Sequence, residues 1–205
     1  MQGPNIRNVN LKQPMRKRVV ITGLGICAPN AIDIPSFQTA MLQGVSGLKI
    51  HSELRELGFR CQVAGTPDVK ENDLNIYFRN IELKGLKSTG LIYGNIAGIQ
   101  AWKDSGLPMG AGGEPDWDTG IVFGTSILGV DKFRESVDLL ERGQVRRLGS
   151  STVPQTMASG ISAYLGGKLG AGNQVTTNSS ACTTGTARRR RGTAMAGTSW
   201  YRAWA

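Results

Sequence analysis

Three short runs of β-branched and apolar residues, each closed by glycine or small polar residues, constrain this chain most. They are residues 18–23 (Arg18, Val19, Val20, Ile21, Thr22, Gly23), residues 120–126 (Gly120, Ile121, Val122, Phe123, Gly124, Thr125, Ser126) and residues 173–180 around Val175, Thr176 and Thr177. Runs of this kind read as buried strands that end in tight turns. Residues 59–65 read as a further short strand. Helical periodicity fills the intervals. Asp33 and Pro35 mark a helix start, Phe37 and Met41 share a face, and Gly44 and Gly47 stop the helix. Leu83, Leu86, Tyr93, Ile96, Ala97 and Gln100 predict one long helix over 83–105. Phe133, Val137 and Leu140 predict an amphipathic helix. Pro154 suits a first helical position, with Met157, Ile161 and Leu165 following on one face. Strands alternating with helices predict an α/β layered fold: a mainly parallel mixed sheet with helices on both faces. The 28 glycines among 205 residues, about twice the usual share, fit tight turns and close backbone approaches.

The formal charge of +9 invites a nucleic-acid reading, but its distribution argues against one. Five basic residues lie in 1–18 and five in 188–205, and neither segment holds an acid. The body between them carries 14 basic and 15 acidic residues. No apolar run approaches the roughly 18 residues of a membrane span, and the basic start lacks the apolar core of a secretory signal. Cys27, Cys61 and Cys182 are odd in number and far apart, which fits neither a disulfide framework nor a metal site. A reducing compartment, the cytoplasm, is expected.

The segment Ser179-Ser180-Ala181-Cys182-Thr183-Thr184-Gly185-Thr186 carries the chemistry. A strand leads into it, and its small residues permit a sharp strand-to-helix turn. A cysteine at a helix N-terminus sits against free N–H groups and a dipole that favour its thiolate. The same N–H groups suit an oxyanion. From spacing alone, a nucleophile and a buried structural cysteine are equally good readings of Cys182.

Ser180-Ala-Cys-Thr-Thr-Gly185 resembles the active-site motif of the β-ketoacyl-acyl-carrier-protein synthases, the thiolase-fold condensing enzymes. The opening Arg18-Val-Val-Ile-Thr-Gly-Leu-Gly25 is similar to the family's first strand. Gly124-Thr-Ser-Ile-Leu-Gly129 and then Met157-Ala-Ser-Gly160 follow in the family's order. The Met-Ala-Ser-Gly and Ser-Ser-Ala-Cys forms are slightly more similar to the type I enzymes than to type II. The resemblance spans roughly 15–187 and implies the N-terminal half of a thiolase-like fold. It implies Cys182 as the nucleophile that takes an acyl group from a carrier-protein thioester, with its own backbone N–H as an oxyanion donor. Malonyl-carrier protein is then decarboxylated and its carbanion attacks the acyl-enzyme, in fatty-acid or polyketide synthesis. Thr125, Ser126 and Ile127 would lie near the acyl-chain pocket, at the interface of a homodimer. No cofactor or metal is implied beyond the phosphopantetheine arm of the carrier protein. Carrier proteins are acidic, so Lys84 and Lys87 on one helix and Arg142, Arg146 and Arg147 after another are docking candidates; for any single one, a solvated face is the plainer reading.

The same resemblance implies what this chain departs from. The family is about twice as long, and its second half supplies two catalytic histidines. The single histidine here, His51, precedes the motif, matches neither and reads as a surface residue. Residues 1–14 read as a disordered leader, with Met15 an alternative start, and 15–187 as the synthase N-terminal domain. Residues 188–205 open with Arg188–Arg191 and hold no Leu, Ile or Val; four adjacent arginines resist burial without partners. They read as an aberrant basic tail of a truncated or frame-shifted chain, which lacks full condensation activity. Two other readings stand beside this one. One is a nucleic-acid-binding arm built from Arg188–Arg191 with Trp200, Tyr201 and Trp204. The other is a non-catalytic partner subunit, against which Cys182 argues.

Overall fold

The computed structural model describes residues 20–110 and 112–178, with the backbone of Ala194–Met195. The elements run α1 (Ile34–Leu42), β1 (Lys49–Ile50), α2 (Ser52–Glu56), β2 (Val63–Ala64), α3 (Glu71–Tyr77), α4 (Asn80–Leu83) and α5 (Thr89–Asp104). They continue with β3 (Gly120–Gly124), α6 (Val130–Glu141), a 3-10 turn (Val145–Arg147), α7 (Thr152–Thr156), α8 (Gly160–Leu169), β4 (Val175–Asn178) and β5 (Ala194–Met195). β3 is the middle of a parallel sheet ordered β4-β3-β5. β1 and β2 form a separate antiparallel pair.

The runs at 120–126 and 173–180 contain the parallel strands β3 and β4, paired Ile121↔Val175 through Gly124↔Asn178. α8 packs on this pair, and α5 packs on α8. The core gathers Ile96, Ile99 and Trp102 from α5, Ile161 and Leu165 from α8, and Ile121 and Phe123 from β3. Asp33 caps α1 as its position predicts, its carboxylate accepting the Ser36 N–H at 2.8 Å.

Several expectations are corrected. Residues 20–23 of the first run form no strand among the described residues, and Val20 and Ile21 are exposed. A strand requires a hydrogen-bonded neighbour, and among the described residues this segment has α5 instead. The Leu24 N–H donates to Asp104 Oδ2 at 2.8 Å and the Ile26 N–H to Gln100 Oε1 at 3.0 Å. The approach is so close that a Cβ on Gly25 would lie 2.0 Å from the Ala97 carbonyl oxygen. The 59–65 run shortens to Val63–Ala64. The single helix expected over 83–105 is α4 and α5, with Leu86 buried in the connection. Pro154 lies in the third position of α7 rather than the first, and Met157–Ser159 separates α7 from α8. Phe37 is half-buried, whereas Met41 is exposed, as is the apolar stripe of α6. His51 is half-buried, its N–H bonded to the Gln62 carbonyl beside the β1–β2 pair.

Asn95, fully buried within α5, has no partner for either amide atom among the described residues. An unsatisfied buried amide is costly, and leucine has a similar branched shape. Asn95→Leu is therefore expected to raise the unfolding free energy by about 1 kcal/mol in urea titrations. A loss of stability would refute this account of the site.

Candidate active site

β3 ends at Gly124, and the chain turns there. The Thr125 N–H donates to the Asn178 carbonyl at 3.0 Å, so the parallel register persists past the last residue of β3. The Thr125 hydroxyl donates to the Ile127 carbonyl at 3.3 Å and tightens the turn. Thr125 is half-buried, Ser126 is exposed, and Ile127 is 65% exposed. Leu128 points the other way, against the core. Gly129 (φ +69°) is buried under α7: a Cβ there would lie 2.0 Å from the Gln155 carbonyl oxygen. The Met157-Ala-Ser-Gly160 motif is the joint between α7 and α8, where the Ser159 carbonyl accepts the Ser162 hydroxyl at 3.0 Å.

Cys182 lies outside the described residues; Asn178, four positions before it in sequence, is the last residue of β4. Of the other two thiols, Cys27 is buried, which pushes its pKa up to about 12, and Cys61 is exposed.

The five basic candidates are all exposed, and none forms an ion pair among the described residues. Lys84 and Lys87 do not share a helix, however: Lys84 caps the end of α4 and Lys87 precedes α5. Arg142 caps α6, and Arg146 and Arg147 form the 3-10 turn that follows.

Two residues that the sequence reading missed organise this region. Gln155 is buried in α7, and its Oε1 accepts the N–H groups of Lys87 (2.6 Å) and Ser88 (2.9 Å). Asp131, in the first turn of α6, accepts the Ser88 hydroxyl at 2.9 Å, the Thr89 N–H at 2.8 Å and the Thr89 hydroxyl at 3.2 Å. An acid in a first turn ordinarily serves its own helix; this one also caps α5. Further off, Lys168 of α8 reaches Glu82 at 3.3 Å and the Tyr77 carbonyl at 2.8 Å, joining α8 to α3 and α4.

These carboxylates set an acid limit. Burial alone would push Asp131 and Glu82 up. The hydrogen bonds from Thr89, Ser88 and Lys132 to Asp131, and from Arg79 and Lys168 to Glu82, outweigh it and hold both below their ordinary values. A depressed carboxyl stabilises the fold fully above its unfolded pKa, and that contribution is lost as pH falls through the folded value. Thermal unfolding is therefore expected to be flat toward neutrality and to drop below about pH 4. Asp131→Asn should shrink that drop; an unchanged acid limb would contradict the assignment.

The layered α/β arrangement, a central parallel strand opening into this turn, is shared with solved ketosynthases. A ketosynthase/chain length factor from the ishigamide system superposes with a TM-score of 0.68 at 20% identity, over 86% of this chain and 45% of that one. A type II PKS acyl-carrier protein in complex with its ketosynthase, bound to the hexaketide, gives 0.62 at 20% identity over 80% and 38%. In sequence, the 3-oxoacyl-[acyl-carrier-protein] synthase 2 of Vibrio harveyi is 29% identical over 170 residues, 83% of this chain and 40% of the relative. The chain thus spans well under half the length of the relatives it matches. Residues 16–189 match the family described as Beta-ketoacyl synthase, N-terminal domain. The chain belongs to the β-ketoacyl synthase family, with the thiolase-like fold of its N-terminal domain.

Proposed function

We propose that this chain carries the acyl-accepting chemistry of a β-ketoacyl-acyl-carrier-protein synthase, with Cys182 as the nucleophile. The observation that carries this reading is the Thr125–Asn178 hydrogen bond at the end of the β3–β4 register. It ties the Thr125–Ile127 turn to the strand that runs, four residues later in sequence, into Cys182.

The Cys182 thiolate attacks the thioester carbonyl of an acyl-carrier protein, and the phosphopantetheine sulfur leaves as the thiolate. The backbone N–H of Cys182 donates to the oxyanion as it forms. In the complete reaction, malonyl-carrier protein loses CO2, and the resulting carbanion attacks the acyl-Cys182 carbonyl. The new C–C bond forms as the Cys182 thiolate departs. Thr125, Ser126 and Ile127 border the acyl chain. Lys84, Lys87, Arg142, Arg146 and Arg147 receive the acidic carrier protein, which brings the phosphopantetheine arm as the only prosthetic group needed.

A homodimer fits the same region. Ile127, Val130, Phe133, Val137 and Leu140 are exposed together, Phe133 by 63%. An exposed apolar face of this kind marks an interaction site, and its position next to the Thr125–Ile127 turn supports a dimer seam beside the acyl chain. A cytoplasmic setting agrees with the free thiols of Cys27 and Cys61. Among the described residues no helix is long and apolar enough to cross a membrane.

The experiment is intact-mass analysis of the purified chain after incubation with hexanoyl-carrier protein, followed by peptide mapping. One hexanoyl group on Cys182 is expected. No acylation, or acylation confined to Cys61, overturns the proposal.

A further inference from the structure

We propose that Gln155 is a positioning residue for carrier-protein docking: it fixes the loop bearing Lys84 and Lys87 against the turn bearing Thr125–Ile127. The inference rests on the carrier-protein reading above and adds a residue to it.

The N-terminal end of the loop between α4 and α5 is tied to α4 by the Gly85 and Leu86 N–H groups, which donate to the Glu82 carbonyl. Only Leu86 of residues 84–87 is buried. Its C-terminal end is held by the Gln155 Oε1, which takes the Lys87 and Ser88 N–H groups together at 2.6 and 2.9 Å. The amide is itself aimed from behind: Nε2 donates to the Ser151 carbonyl at 3.1 Å and to the Ser151 hydroxyl at 3.3 Å. Both polar atoms of a buried side chain are thus used, so its rotamer is set by four contacts. The backbone carbonyl of Gln155 lies directly over Gly129, the end of the acyl-pocket turn.

Asp131 closes the bracket from the other side. It stands two residues past Gly129 and holds Ser88 and Thr89 through three hydrogen bonds. Displacing the Gln155 amide would therefore free Lys87 first while leaving α5 capped by Asp131. Lys87 is a long cation whose useful position depends on where its backbone is fixed. A local shift of about 1 Å is enough to spoil a docked geometry.

The test uses Gln155→Met, which keeps length and burial but lacks the acceptor. Acylation of Cys182 is followed with hexanoyl-carrier protein and, separately, with hexanoyl-N-acetylcysteamine, a small thioester that needs no docking. For Gln155→Met the half-saturating carrier-protein concentration is expected to rise about tenfold, with the small-thioester rate unchanged. Lys87→Glu combined with Gln155→Met should be less than additive, because the two act through one contact. An unchanged half-saturation, equal losses with both thioesters, or full additivity would each overturn the proposal. In the wild-type chain, carrier protein should also shift the Lys87 and Ser88 amide resonances. No shift there overturns it even if the methionine variant does not fold. Wild-type acylation by the small thioester but not by carrier protein would instead remove the docking reading itself, and this inference with it.

Discussion

Cys182→Ala is expected to abolish acylation of the chain by hexanoyl-carrier protein, a loss of at least about 1,000-fold, since it removes the attacking thiol. The two remaining thiols make the result informative. Cys27 is buried with its pKa pushed up to about 12, so it offers almost no thiolate at neutral pH and no path to a bulky thioester. Cys61 is exposed and is the thiol that competes. Cys61→Ala should therefore leave carrier-dependent acylation intact while removing non-specific alkylation. Mass spectrometry of the two single variants separates the outcomes. Acylation that follows Cys61 rather than Cys182 would end the nucleophile assignment.

Gly129→Ala is expected to be the most destabilising single methyl in the described part of the chain, by about 3–5 kcal/mol in urea unfolding. Two costs combine there. The backbone is left-handed (φ +69°), and the new Cβ would lie 2.0 Å from the Gln155 carbonyl oxygen and 2.7 Å from the Thr156 Cα. These are backbone atoms of a packed helix, so no rotamer change relieves the contact. Gly143 isolates the first cost, because its φ is also +69° but nothing lies within 4 Å of its Cβ position. Gly143→Ala should cost only about 1 kcal/mol. Similar losses for the two variants would mean that α7 does not press on the turn.

Local signals in the sequence were accurate where one element decides its own fate. Asp33 caps α1 through its own loop, and the β-branched stretches Gly120–Gly124 and Val175–Asn178 are strands, the first with Gly120–Phe123 buried. The 18–23 run has the same composition and is no strand in the described residues, since a strand is a relation between two segments and composition reports only one. The α6 stripe likewise announces that Phe133 and Leu140 favour burial, without saying against what. The break between α4 and α5 was illegible for a similar reason. The α5 start is fixed by Gln155, some 67 residues away, and by Asp131, some 43 away. The Thr125–Ile127 turn was legible because it follows a strand end. Lys84 and Lys87 were found by charge but placed on the wrong kind of element. Neither Gln155 nor Asp131 carries a local signal for the helix it caps.

The central position of β3 also bears on how the chain acquires its structure. Its parallel neighbours are distant: Ile121 pairs with Val175, 54 residues on, and Gly120 with Ala194, 74 residues on. A nascent chain emerging from the ribosome would expose Ile121, Val122 and Phe123 as an unpaired apolar ribbon until β4 had been made. Such long-range closure slows folding and lengthens exposure to aggregation. The helical pair α5 and α8 spans a comparable separation, so the sheet has no locally formed core to land on. Synthesis rate and chaperone supply, rather than final stability alone, should then govern how much of this protein a cell recovers in native form.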